Sequence, residues 1–223
     1  GMSLATDASG NLFVAGYTTS TAFPTLTAGT YFDNTLGGTS DAFILKFDNA
    51  GTRLWATYYG GGGEDIAYSL VSDPSDNVFV TGYTTSPAAT FPLLNAVTFF
   101  DNTLGGGYDL FILKFSNTGT RLWATYYGGA NADLLGEYDH LAVDGCGNLY
   151  LSLEVETGFP YLTNSCDAQY YDNSFNGSTY DLAISLFSNA GILLWCTYWG
   201  GNGDDTRGPL AVDANNNLFV TGE

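Results

Sequence analysis

The sequence predicts an all-β chain made of tandem copies of one four-stranded unit, and three observations lead there. The first is composition. Gly contributes 29 of 223 residues and aromatics 16%, while Lys and Arg together number 5. Such a chain is poorly supplied for solvent-facing helices and well supplied for short strands joined by tight turns. The second is periodicity: no segment carries a sustained 3.6-residue apolar stripe, so helices have no amphipathic signal to form on. The third is internal repetition. Asn11-Leu-Phe-Val-Ala-Gly-Tyr17 returns as Asn77–Tyr83, as Asn148–Glu154 and as Asn217–Glu223. Asp41–Phe47 returns at Asp109–Phe115 and more loosely at Asp181–Phe187, and Leu54–Gly61 returns at Leu122–Gly129 and Leu194–Gly201. All three markers keep a spacing of 66 to 72 residues. A fixed period of that kind is the signature of a repeat architecture.

Within the second unit, strand A is predicted over about Ala67–Ser72 and strand B over about Val78–Tyr83. Strand C follows over about Leu110–Phe115 and strand D over about Leu122–Tyr127. The A–B connection (Asp73-Pro-Ser-Asp-Asn77) and the C–D connection (Ser116-Asn-Thr-Gly-Thr120) are short and built of turn formers. Strand C is almost continuously apolar, which suits a strand covered on both faces. Four short antiparallel strands repeated about an axis make a β-propeller, each unit a blade. Phe79, Phe111 and Trp123 with their counterparts are expected to fill the space between blades. The repeats run from about 3 to 61, 62 to 129 and 130 to 201, with a half repeat from 202 to 223. The chain is thus expected to hold about three and a half blades of a single propeller domain, or a fragment of one, with open blade faces available for self-association.

The run Asp109-Leu-Phe-Ile-Leu-Lys-Phe, then Leu-Trp-Ala-Thr-Tyr-Tyr-Gly-Gly, an acidic loop, Asp-x-x-x-Asn-x-Phe-Val-Thr-Gly-Tyr and a Phe-Pro resembles the bacterial seven-bladed β-propeller (SBBP) repeat family. The resemblance spans essentially the whole chain. The third unit departs from it: Glu154 stands at the position of Tyr83, Ser185-Leu186 at Leu113-Lys114, and Cys196 at Ala124. The resemblance implies a repeat module of secreted, periplasmic or surface-attached bacterial proteins, and it implies no particular activity.

Strand alternation puts the long B–C connections (18–40, 84–108 and 155–180) at the same end as the D–A connections. Each B–C connection carries a Phe-Pro (Phe23, Phe91, Phe159) and then an aromatic pair before Asp-Asn (Asp33, Asp101, Asp172). Such a pattern predicts an ordered excursion with its own small core, with sugar-stacking platforms as the alternative. The D–A loops (60–65, 128–133, 200–205) are glycine-rich and acidic, and in a propeller they converge near the channel mouth. Glu64, Asp65, Asp133, Asp204 and Asp205 are therefore the candidate ligands for a divalent cation, calcium being the one that takes six to eight oxygens. Solvated acids that keep the surface soluble are the plainer reading. The A–B turns opening on Asp7, Asp73 and Asp213 resemble the start of a calcium loop but lack its distal Glu, so a structural turn accounts for them better.

Catalytic chemistry is hard to assemble. His140 is the only histidine, which excludes a multi-histidine metal centre. It falls with Glu137, Tyr138 and Asp139 in the divergent third unit, where Glu154 and Glu156 offer carboxylates for glycan cleavage as the alternative to a non-catalytic module. Of the cysteines, Cys196 is expected to be a buried free thiol. Cys146 and Cys166 fall at opposite ends of the blade, so they are not expected to pair. Lys46/Arg53 and Lys114/Arg121 recur around the C–D hairpin and are expected to pair with nearby Asp. Acids outnumber bases 23 to 5, so no basic footprint exists for nucleic acid, and no run reaches the ~18 apolar residues of a membrane helix. The sequence therefore reads as a non-catalytic interaction scaffold with a protein or glycan partner and no required cofactor. A calcium-dependent carbohydrate-binding module is a further alternative.

Overall fold

A computed structural model describes residues 1–95, 99–131, 141–159, 172–176, 179–206 and 208–222. Every regular element among them is a strand. Strands β1 (Ser3–Thr6), β2 (Leu12–Thr18), β3 (Asp41–Phe47) and β4 (Arg53–Tyr59) form the first blade. The second blade contains β5 (Asp65–Ser72), β6 (Val78–Thr84), β7 (Asp109–Phe115) and β8 (Arg121–Tyr127). The third contains β9 (Leu141–Val143), β10 (Leu149–Val155), β11 (Asp181–Phe187) and β12 (Leu193–Trp199). Strands β13 (Leu210–Val212) and β14 (Leu218–Val220) form a half blade. Each complete blade is an antiparallel meander in sequence order, and the sheets do not close on one another. The four predicted strands of the second unit match the observed ones to within two residues.

The repeat extends to irregularities. The C–D pairing slips by one residue at Lys46/Phe47, Lys114/Phe115 and Leu186/Phe187, the same position in all three blades. A bulge conserved between copies bends and twists the outer strand in each blade alike. The A strands contact one another in series, β1 on β5, β5 on β9 and β9 on β13, as the innermost strands of radially stacked blades must. Phe79 and Phe111 are fully buried and Trp123 nearly so, in the layers between blades where the sequence places them.

A buried lysine ties neighbouring blades together. Lys46 Nζ lies 2.7 Å from Asp7 Oδ2 in the A–B turn of its own blade and donates to the Asn117 carbonyl in the next blade's C–D turn. Lys114 repeats this with Asp73 at 2.8 Å and with Asn189 O and Oδ1 at 3.2 and 2.6 Å. The two ammonium groups sit 4.5 and 4.4 Å from the ring centres of Phe13 and Phe79. These contacts also fix the parity: A–B and C–D turns share one end of the molecule. In blade three the lysine is replaced by Leu186, and Asp144 is held by the N–H groups of Cys146 and Asn148 and by the Asn148 side chain.

The B–C excursions are ordered and packed in the described residues. Phe23 stacks on Phe43, Phe91 packs on Tyr59, Phe111 and Tyr126, and Phe159 meets Tyr127 edge-on. Asp33, Asp101 and Asp172 each bond strand D: their N–H groups donate to Thr57, Thr125 and Thr197, and their carbonyls accept from Tyr58, Tyr126 and Tyr198. The excursion thus runs along the outermost strand and covers an edge that would otherwise offer unpaired backbone. The loops are ordered as predicted, but Phe91 and Phe159 join the large cores between blades and Tyr31 and Phe99 pack against them, so the excursions do not build a separate small core of their own. Pro160, Tyr170 and Tyr171 lie outside the described residues.

Glycine is obligatory at two of the close approaches at this end. A Cβ on Gly38 would lie 1.7 Å from the Gly63 carbonyl, and one on Gly60 would lie 2.6 Å from Asp65 Oδ2 and 2.8 Å from Asp41 Cγ. The final half blade is less covered. Phe219 is 57% exposed, whereas its counterparts Phe13 and Phe79 are at 0%.

Candidate functional site

The acidic D–A loops converge on the loop-bearing end, but their carboxylates point to different tasks. Asp65 is fully buried and accepts from Gly61 N at 2.7 Å, from Ser86 Oγ at 2.8 Å and from the Thr84 hydroxyl. Burial pushes its pKa up, against those three donors, and the neighbouring Asp41 adds to the rise. Asp41, itself fully buried, accepts from Gly37 N and Gly38 N, and burial raises it as well. Gly60 passes between the two carboxylates. Asp205 accepts from Gly201 N at 2.7 Å, in the same manner as Asp65, and Gly200 passes between it and Asp181. Asp204 accepts from Thr179 N and Tyr180 N. Asp133 lies outside the described residues. Among the described residues no group of three or more His, Cys, Asp or Glu is gathered to hold a metal ion. Asp65, Asp204 and Asp205 are acceptors that shape the loops between blades.

Glu64 has a different environment. It faces a cavity of about 340 Å³ lined with Tyr68, Tyr83, Tyr108 and Thr85. Strand geometry assembles this site from three separate segments. Tyr68 comes from β5 and Tyr83 from β6, while Tyr108 immediately precedes β7. Glu64 is held by reciprocal backbone bonds: its N–H donates to Thr85 Oγ1 at 2.6 Å, and Thr85 N donates to its carbonyl at 2.9 Å. The ring centres of Tyr68 and Tyr83 are 5.8 Å apart, as are those of Tyr83 and Tyr108, with interplanar angles of 42° and 55°. Tyr83 is the middle ring, with its neighbours inclined on either side. Burial raises the pKa of Tyr83 and the Glu64 carboxylate acts in the same direction, so it remains a neutral phenol at physiological pH.

The third blade continues this surface. Burial raises the pKa of Tyr180, and the charges of Glu156, Glu154 and Asp204 together with Tyr108 act in the same direction. Glu137, Tyr138, Asp139 and His140 lie outside the described residues, so of the carboxylates considered for glycan cleavage only Glu154 and Glu156 are placed. Cys196 is a free thiol at 1% exposure, its pKa raised by burial, and Ser185 Oγ donates to its sulfur at 3.3 Å. Cys146 is exposed and free, while Cys166 lies outside the described residues.

Residues 54–87 match the family SBBP, described as Beta-propeller repeat. The chain carries an SBBP repeat. The matched segment runs through β4, β5 and β6, so this SBBP repeat is out of phase with the blade: it joins the outer strand of one blade to the two inner strands of the next. It also contains Gly60, Glu64, Asp65, Tyr68 and Tyr83. A relative named as an uncharacterized WD repeat-containing protein, L264 of Acanthamoeba polyphaga mimivirus, is 24% identical over 210 residues. The alignment covers 85% of this chain and 15% of that protein. The tyrosine cavity was missed in sequence because its rings belong to three different segments. Alternation alone put Tyr83 at the loop-bearing end, and nothing in the spacing showed that Tyr68 and Tyr108 flank it.

Proposed function

We propose that this chain is a non-catalytic β-propeller repeat module of a secreted or surface-exposed bacterial protein, presenting its loop-bearing end to a protein or glycan partner. One observation carries this reading. The buried carboxylates at that end are used as hydrogen-bond acceptors that hold blades and loops in place, which leaves a ledge of half-buried tyrosines and carboxylates to meet a ligand. The SBBP repeat and the WD-repeat relative support a scaffold, and the resemblance to modules of exported bacterial proteins supports the location. The acidic balance of 23 to 5 disfavours anionic partners. The exposed Phe219 face supports self-association, because a second copy seated there would bury a ring that is fully covered in the complete blades.

A glycan and peptide array, run with and without calcium, tests the module, alongside a hydrolysis screen on the same glycans. The expected result is binding without turnover. Turnover that disappears in Glu154→Gln would replace this reading with the enzymatic one.

A further inference from the structure

We propose that the cavity framed by Tyr68, Tyr83 and Tyr108 over Glu64 is a binding site for an alkylated ammonium group. The proposal deepens the interaction-module reading by naming the chemistry recognised at this one place, and it rests on that reading only for the rigidity of the blades.

The first argument is the rings. Aromatic faces attract cations through their quadrupole, most strongly when the cation sheds water to reach them. Here Tyr83 packs between Tyr68 and Tyr108 and all three line one cavity, so a methylated cation that enters it meets more than one ring. An ammonium bearing methyl groups is weakly hydrated and spreads its charge over a surface that the rings cover well. The second argument is charge. Glu64 is fixed at its backbone by Thr85 and lines the cavity. The ion pairs among the described residues, Lys46–Asp7 and Lys114–Asp73, are both at the opposite end of the blades. The third argument is size. A cavity near 340 Å³ is at the low end of the ~300–1,000 Å³ range of ligand pockets, so it suits one head group rather than an oligosaccharide.

The shared chemistry has two sources, a free quaternary amine and a trimethylated lysine side chain in a partner protein. Both are probed by titration calorimetry on the whole chain. Choline is one probe, a short peptide containing trimethyllysine is the other, and 3,3-dimethylbutanol is the neutral isostere of choline. Choline is expected to bind with a dissociation constant on the order of 1 mM or tighter. The isostere, alike in shape but uncharged, is expected to bind at least about tenfold more weakly, the loss of the cation–π and carboxylate attraction. Glu64→Gln keeps the shape and should weaken choline by about fivefold or more without moving the melting temperature; Tyr108→Ser, outside the strands, should do the same. Tighter binding of the peptide than of choline assigns the source to a protein, and the reverse assigns it to a free amine. Equal affinity for choline and its isostere, or no binding of either cationic probe at 10-fold above ~1 mM, overturns the proposal. A neutral glycan that binds in the array and cannot be displaced by choline leaves the module reading standing and removes this one.

Discussion

Replacing Lys114 with leucine tests how the blades are fastened, because it recreates in blade two the arrangement already present in blade three. The lysine is 2% exposed at its side chain and its Asp73 partner 0%. Removing one member of a buried ion pair costs about 3–5 kcal/mol, since the remaining charge stays buried. Asp73 retains other donors: the N–H groups of Ser75 and Asn77 at 2.9 Å and the Asn77 side chain. Asp144 survives on the equivalent set beside Leu186. The expected loss therefore lies at the lower end, about 3 kcal/mol. For a chain of this length that lowers the melting temperature by about 6–12 °C. Lys114→Leu with Asp73→Asn should recover more than half of it. The pH dependence follows from Asp73: burial raises its pKa, but Lys114 and Asn77 outweigh burial and hold it below the usual carboxylate value. A depressed pKa contributes stability above the unfolded value near 3.8 that is lost as pH falls through the folded one. The gap between parent and variant, followed by tryptophan fluorescence in urea, should narrow from pH 7 to pH 3. A loss below about 1 kcal/mol at pH 7, or an unchanged gap at pH 3, would refute the reasoning.

Asp7 behaves similarly: Lys46 and Asn11 overcome the effect of burial and hold its pKa at about 2, so the Asp7→Asn variant should lose its stability deficit as pH drops from about 4 toward 2 in an acid titration of unfolding. Gly60→Ala drives a methyl between two buried carboxylates and should cost about 2 kcal/mol or more by thermal melting. Calcium added to millimolar concentration should leave the melting temperature unchanged, because the Asp65 oxygens already accept three protein hydrogen bonds; a rise of several degrees would restore the cation reading of the mouth. Solution mass by light scattering should exceed 23.7 kDa for the parent chain and fall to that value in Phe219→Asp.

What the sequence determined by itself was the architecture. Short apolar runs, turn residues and a 66–72-residue repeat are local or translational signals, and they placed β5 to β8 nearly to the residue. They also separated the two ends of the blade, since each antiparallel step reverses the chain. What only the tertiary structure decided was which side chains meet across different segments. Lys114 finds Asn189, 75 positions away and in the next blade, and Tyr68, Tyr83 and Tyr108 gather with Glu64 from three stretches of chain. Asp65 and Glu64 are adjacent acids in one loop, yet alternation turns the first inward to three donors and the second outward to a ring of phenols. Composition treats them alike because charge is a property of the residue, whereas the direction a side chain takes is set by the strand pairing that the whole fold imposes.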